Sequence, residues 1–409
     1  MRLLWLKSGP LHPLDTGGKL RTYNMLRELS RRHEITFLSL CLPSIDADAR
    51  VAANEYSKRQ IWVPWTEAQR GGIRFSSELL TNCFSRLPYA IAKYRSASMA
   101  GALASAITEH DLVVCDFLFP AINLLKLPKW PELPTLLFQH NVESQIWCRH
   151  YENARGILRR FYFRCQWRRM QRYERFVTRK FDGVVTVSDE DAEIHRRDFG
   201  LTNVLGAVPT GVDIDYFAPV ESARPAAAIV FLGSMDWLPN VDAAEWFLTE
   251  IWPMIRTSCH DATITFIGRN PPTRLRDWAA RDPHVRVTGT VPDVRPYLAQ
   301  GTMLVVPLRI GGGTRIKIYE GMSSGLPVVS TTIGAEGLPL RPTEHIEIAD
   351  CSDDFAATCI RLIQQPSQRA ALARTGSEYV RTHFGWGAAT ETFSAYCDAA
   401  IKRKNGAST

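Results

Sequence analysis

Leu304-Val305-Val306 leads into Gly311-Gly312-Gly313-Thr314-Arg315-Ile316-Lys317-Ile318-Tyr319-Glu320, and the segment closes at Gly325, just ahead of Pro327. The apolar run predicts a buried strand, the glycines a turn, and the rest a helix that stops near Gly325. Three glycines strip the turn of side chains, so that its N–H groups can approach an anion at the positive end of the helix. Arg315 and Lys317 add positive charge beside them. Two residues apart, they cannot share a helix face, so Arg315 is expected to act from the first turn. Glu320 does share a face with Lys317, and a carboxylate there suits the vicinal hydroxyls of a ribose. Gly312, Gly313, Thr314 and Glu320 are therefore candidate binding residues, and Arg315 and Lys317 candidates for stabilising developing charge. The competing reading is a flexible turn with a solvated ion pair. The joint presence of glycines, cations and carboxylate in a strand–turn–helix context favours the site.

The same unit recurs outward in both directions. Leu3 to Leu6 is followed by Gly17-Gly18 and a helical pattern from Leu20 to Arg32, with Leu20, Tyr23, Leu26 and Leu29 on one face. Further strands are expected at Ile35 to Leu40, Ile61 to Val63, Leu112 to Cys115, Leu136 to Phe138 and Val184 to Val187. The alternation restarts after Pro209-Thr210-Gly211: Ile229 to Leu232, a helical stretch from Val241 to Ile255, then Ile264 to Ile267, Val285 to Val287, Met303 to Val306 and Val328-Val329. Two such series in 409 residues imply two doubly wound α/β domains, whose ligands bind beyond the carboxyl ends of the strands. The expected active site is the cleft between two facing sheets. Gly17, Gly18 and Arg21 occupy the loop position in the first domain that the glycine turn occupies in the second. A tight turn would explain the glycines equally well, and Arg21 would serve an anionic acceptor or face solvent.

The net charge is +7, and the Tyr151 to Lys180 stretch alone holds a local excess of eight, nine Arg and Lys180 against Glu152 and Glu174. The rest of the chain is nearly neutral, so the charge is a patch and not a global field. Phe163, Trp167, Met170 and Tyr173 follow helical spacing through it. Residues 155–180 thus fit either a basic amphipathic helix on an anionic membrane surface or a solvated basic face whose aromatic side packs inward. No nucleic-acid motif accompanies the patch. Nine scattered cysteines without C-x-x-C spacing are expected to be buried free thiols in a reducing compartment. Met1 to Ser8 reads as a first strand, not a signal peptide. Asp213-Ile214-Asp215 and Asp46-Ala47-Asp48 have the D-x-D spacing that holds a metal elsewhere, but lie in a connection and a polar loop and are read as structural. His140 ends the Leu136 to Phe138 strand, where it would either cap the strand through a backbone bond or offer its imidazole to a ligand hydroxyl in the cleft.

These segments resemble the retaining nucleotide-sugar glycosyltransferases of family-four type, whose fold is called GT-B. The resemblance spans nearly the whole chain. Pro13 to Arg21 resembles the first glycine loop of bacterial polysaccharide transferases of that group, and Phe138-Gln139-His140-Asn141 the strand end with the sugar-contacting histidine. Val208 to Asp213 is similar to the interdomain signature, with Thr210 where Asn is commoner. Val287 to Val291 resembles the loop around the base, and Phe384-Gly385-Trp386 the point where the last helix crosses back to the first domain. Of the family's two glutamates seven residues apart, the second matches Glu320 and the first falls on Gly312. The Arg and Lys that often follow the second domain's first strand are missing from Ser234 to Asn240, so Arg315 and Lys317 are inferred to take their role.

The resemblance implies an N-terminal acceptor-side domain over 1–207, with 386–403 packing back on it, and a donor-binding domain over 208–385. It implies transfer of a sugar from a UDP- or GDP-sugar to a hydroxyl on a glycan or lipid-linked acceptor, with retention, in polysaccharide or glycoconjugate biosynthesis. Neither metal nor cofactor is expected, and the expected location is the cytoplasm, peripheral on the inner membrane face. An epimerase or hydrolase on the same fold, or an inactive membrane-associated binding protein, are the alternatives.

Overall fold

A computed structural model describes residues 1–14, 16–43, 47–69, 71–152, 154, 156–220, 226–310 and 315–406. The chain divides into two compact units, Met1–Pro209 with Ala389–Thr409, and Thr210–Ala388.

The first unit is a seven-stranded parallel sheet: β1 (Arg2–Lys7), β2 (Glu34–Cys41), β3 (Arg59–Pro64), β4 (Leu112–Asp116), β5 (Thr135–Phe138), β6 (Gly183–Thr186) and β7 (Val204–Ala207), in the order β3-β2-β1-β4-β5-β6-β7. β1 pairs in register with β2 on one side and β4 on the other. The strand order therefore reverses between β1 and β4, and this is where such a sheet opens a crevice at its carboxyl edge. Leu3 to Leu6 and Leu112 to Cys115 are wholly buried, as strands covered on both faces require. The C-terminal helix Trp386–Gly406 contributes to this unit from Ala389 onward. There Phe393 packs 5.5 Å from Trp5 and 5.1 Å from Phe138.

The second unit is a six-stranded parallel sheet: β8 (Ala228–Leu232), β9 (Thr263–Ile267), β10 (Val285–Val287), β11 (Met303–Val306), β12 (Val328–Ser330) and β13 (Glu347–Ile348), in the order β10-β9-β8-β11-β12-β13. Its reversal lies between β8 and β11. Both units are thus Rossmann-like, as a GT-B fold has them.

Several expectations need correction. The first helix runs Gly17–Leu29, and its inward residues are Arg21, Thr22, Met25, Leu26 and Leu29, while Leu20 is exposed. The stripe is displaced because the first turn lies at the crevice, where polar side chains turn in. The Val241 to Ile255 stretch is not one regular helix. Leu238–Trp246 and Trp252–Ser258 are joined by a π-helical turn, Phe247–Ile251, where Trp252 N–H bonds Phe247 O. Pro253 has no N–H to continue the regular ladder. Cys83 and Cys351 are exposed, contrary to a set of buried thiols, although all nine are free. In the helix Ile157–Thr178 the aromatic stripe faces inward: Met170 and Tyr173 are buried, Phe163 stacks on His150 and Trp167 on Tyr151. Arg155, at the start of the basic stretch, lies outside the described residues.

Candidate active site

In the first unit, the carboxyl ends of β1 and β4 place Lys7 and Asp116 side by side in the crevice. Asp116 is fully buried, and its Oδ2 accepts from Trp5 Nε1 (2.9 Å), Lys7 Nζ (2.8 Å) and Thr22 Oγ1 (2.8 Å). Lys7 also donates to Thr22 Oγ1 at 2.7 Å. The other carboxylate oxygen stands 2.8 Å from His140 Nε2 but off the line of a hydrogen bond. Burial alone would raise the Asp116 pKa, but Lys7 and then His140 outweigh it and hold the carboxyl below its ordinary range. Burial pushes Lys7 down against the pull of Asp116. It also takes His140 down to about 4, against Asp116 and aided by Lys7 and Arg21. His140 is therefore neutral at pH 7, able to accept from or donate to a hydroxyl.

The ring of His140 stacks on Phe117 at 3.8 Å, and Lys7 Nζ lies 4.5 Å from the centroid of the Phe117 ring. Phe117 itself has φ 74°, so the backbone turns sharply straight after Asp116. A Cβ on Gly18 would stand 3.0 Å from the Phe117 ring, whereas one on Gly17 would meet nothing within 4 Å. Gly18 is thus a packing requirement and Gly17 borders open space. Arg21 does not face solvent. It is buried, and its charge bears on His140 and Asp191. Behind His140, the buried Glu174 carboxylate accepts from Gln139 Nε2 (2.7 Å), Glu143 N (2.9 Å) and Ser144 N (2.9 Å), fixing the start of the helix Glu143–Glu152.

In the second unit, the helix Ile316–Ser323 follows β11, and Gly325, with φ 74°, ends it as expected. Gly312, Gly313 and Thr314, the expected anion cradle, lie outside the described residues. Lys317 Nζ donates to Asn240 Oδ1 at 2.7 Å and sits 5.3 Å over Phe231 of β8. Among the described residues, Glu320 has no side-chain hydrogen bond and no ion pair, and the two half-buried side chains share one helix face without pairing. Burial, with the like charge of Arg315, lowers Lys317 to about 7. Burial raises Glu320 to about 7 against the pull of Lys317. Such opposed shifts mark a desolvated cation and carboxylate held apart, a frequent property of binding sites. Arg315 is more deeply placed than expected: it is buried, donates to Ile333 O at 2.9 Å and lies 6.0 Å from the Trp237 ring. Burial lowers its pKa.

The Ser234 to Asn240 loop, which lacks its own basic residue, receives one from the turn after β9. Arg269 Nε lies 3.0 Å from Ser234 Oγ and 2.6 Å from Asp236. Gly233 and Gly268 permit this, since a Cβ on Gly268 would fall 1.9 Å from Gly233 O. Asp213 of the first D-x-D accepts from Tyr216 N at 3.0 Å, a local side-chain-to-backbone bond. Asp46 lies outside the described residues. Among the described residues, no cluster of three or more His, Cys, Asp or Glu side chains could hold a metal, and no helix is long and apolar enough to cross a membrane.

A model of the family described as Glycosyltransferase Family 4 matches residues 16–216, and one described as Glycosyl transferases group 1 matches residues 226–365. The chain belongs to the family-four type of GT-B glycosyltransferases. This glycosyltransferase is 24% identical over 207 residues to the GDP-mannose-dependent monoacylated alpha-(1-6)-phosphatidylinositol monomannoside mannosyltransferase of Corynebacterium glutamicum, covering 46% of this chain and 54% of that one. The match spans about half the length of that relative. Among solved structures, sucrose-phosphate synthase from Thermosynechococcus elongatus superposes with a TM-score of 0.67 at 15% identity, over all of both chains. The HepE protein of Anabaena, solved in complex with UDP, gives 0.66 at 13%, over 98% of this chain and all of that one. At these identities the likeness shows the fold.

Lys7, Asp116, Asn240 and Arg269 were not singled out in the sequence. The usable signal was present for two of them: a charged residue directly ends the apolar runs Leu3 to Leu6 and Leu112 to Cys115. Asn240 and Arg269 are read only from their neighbours in space.

Proposed function

We propose that the protein transfers a glycosyl group from a UDP- or GDP-sugar to a hydroxyl of a glycan or lipid-linked acceptor, with retention and without a metal. The carrying observation is Lys317 and Glu320: a cation and a carboxylate on one face of the helix after β11, half-buried, unpaired with each other, at the switch point of the second sheet. A diphosphate beside Lys317 would restore its proton, and the ribose hydroxyls would satisfy Glu320 in its charged form. Negative charge developing on the leaving diphosphate is stabilised by Lys317, by the field of Arg315 and by the 312–314 backbone. Neutral His140, fixed by Phe117 and Asp116, meets the transferred sugar; Gly17 and Arg21 border the acceptor. Retention rests on family membership. Placement at an inner membrane face rests on the basic stretch.

The test is a thermal-shift panel of nucleotide sugars with and without excess EDTA, followed by turnover on the donor that binds. A ligand at about a hundred times its Kd adds roughly 2.7 kcal/mol of apparent stability. A shift shared by sugars of one nucleotide, unchanged by EDTA, supports the reading. Donor consumption without an acceptor would favour a hydrolase or epimerase. The absence of any shift across the panel would favour a fold that has lost its activity.

A further inference from the structure

The inward turn of the aromatic stripe leaves another apolar set on the outside. On the helix Ile157–Thr178, Ile157 is 88% exposed, Leu158 86% and Phe161 67%. On the helix Ile73–Cys83 and the residue capping it, Ile73 is 92% exposed, Leu80 66% and Phe84 90%. Ile73, Leu80 and Phe84 recur at helical spacing on one face. The two helices are clamped together: Arg169 donates to Asn82 O and Cys83 O at 2.8 Å each, and Gln166 Nε2 donates to Asn82 Oδ1 at 3.2 Å. Beyond Phe161 the outer face of the longer helix turns basic, with Arg164, Arg168, Arg172 and Arg175 exposed. Among the described residues, none of these four has an acidic partner within 4 Å.

We infer that these two helices form a docking foot for an anionic lipid surface, with the six apolar side chains entering the interface and the arginine ladder lying among the headgroups. The inference rests on the proposed membrane-borne acceptor. Charge decides the occupant: an unneutralised ladder of arginines beside apolar tips matches anionic headgroups over acyl chains. Shape agrees. Four of the six, Ile73, Phe84, Ile157 and Leu158, are exposed by about nine-tenths, and such protruding side chains are accommodated by a fluid bilayer, whereas a protein partner would have to match them with pockets.

The test is co-sedimentation of the full chain with vesicles of phosphatidylcholine alone and with about one third phosphatidylglycerol. Binding is expected only to the anionic vesicles. It should fall at least ~tenfold when salt rises from about 0.1 M to about 1 M and the screening length shrinks to ~3 Å. The Ile73→Ser, Leu80→Ser, Phe84→Ser triple variant should bind at least ~tenfold more weakly and keep its salt dependence. The Arg164→Gln, Arg168→Gln, Arg172→Gln triple should lose on the order of a hundredfold together with most of the salt dependence. All six positions are exposed, and unchanged thermal midpoints check that both variants fold. Binding that ignores lipid charge, parent-like binding by both variants, or no vesicle binding would overturn the inference. The last outcome, with self-association of the parent chain, would indicate a second copy as the occupant. Sedimentation needs no turnover, so a failure here leaves the nucleotide panel to judge the transferase reading, and the reverse holds as well.

Discussion

Asp116→Asn is the sharpest perturbation of the first crevice. The change is isosteric, so it tests charge alone. In the native protein one buried carboxylate oxygen takes three donors, and the ammonium of Lys7 is among them. An amide cannot neutralise Lys7, which has almost no access to water. Removing one partner of a buried ion pair costs about 3–5 kcal/mol, because the other charge is left uncompensated. Lys7 can limit the loss by shedding its proton. Its folded pKa, already lowered by burial, falls further once Asp116 no longer raises it. The unfolded chain then binds more protons than the folded one between that lowered value and about 10.4, so stability must rise with pH across the window. Asp116→Asn should therefore lose about 3–5 kcal/mol at pH 7 and recover part of it by pH 9. Lys7→Met on top of it should restore most of the loss and abolish the recovery, since an apolar pair of similar volume replaces an ion pair at little cost. Urea unfolding followed by tryptophan fluorescence reads this, with Trp5 in direct contact with the site. Losses that simply add in the double variant, or a single variant within about 1 kcal/mol of the parent, would show that Lys7 and Asp116 are not an obligatory pair.

Lys317→Ala should lower turnover on the order of a hundredfold, about 3 kcal/mol of transition-state stabilisation, with little change in unfolding midpoint; near-parental turnover would remove this helix from the phosphate site. Glu320→Gln should weaken every sugar of the preferred nucleotide alike in the thermal-shift panel, since the ribose is common to all, and a switch of sugar preference would contradict the assignment. His195 is fully buried and held at about 4 by burial, with neither ring nitrogen bonded among the described residues. Its unfolded value is about 6.5, so its contribution is complete above that pH and shrinks by about 3 kcal/mol as pH falls to 4. His195→Phe should flatten part of the acid loss in urea titrations and leave the part His140 contributes; an unchanged slope would show that His195 is not buried in its neutral form.

How much the sequence revealed depended on the kind of information required. Buried parallel strands are continuous apolar runs, so eleven of the thirteen strands among the described residues coincide with runs visible in the chain, from Leu3 to Leu6 through to Val328-Val329. The two without such a run are β7 and β13. β7 is Val-Leu-Gly-Ala, with Gly206 at φ 155° and a register shift beside it, and β13 is two residues long. Neither is long or apolar enough to show a period. The stripe Phe163, Trp167, Met170 and Tyr173 shows the opposite limit. Its spacing predicts a helix face correctly, but periodicity cannot say whether that face meets protein or lipid. The answer came from His150, Tyr151 and Trp147 of the preceding helix packing against it.

The two candidate half-sites differ in the same way. Lys317 and Glu320 are three apart on one helix, so local geometry brings them together and the sequence suffices. Lys7, Asp116 and His140 come from three different strands, and only the strand order makes them neighbours. Yet the doubly wound topology, once inferred from the alternating runs, is enough to pick out the first two. In such a sheet every strand ends at the same edge, and the first and fourth strands flank the reversal in an order β3-β2-β1-β4-β5. A charged residue ending an apolar strand run at either of those positions has no solvent-facing alternative on a sheet covered on both sides. It must be paired in the crevice or serve what binds there. Lys7 and Asp116 pair with each other, and beside them a neutral histidine stacks on the ring of Phe117. Lys7 and Asp116 thus neutralise each other, and the histidine beside them is an uncharged polar group. That is the chemistry a sugar hydroxyl requires. The second unit does the reverse, keeping Lys317 and Glu320 desolvated and apart, and under the proposed function an anion and a diol would complete them.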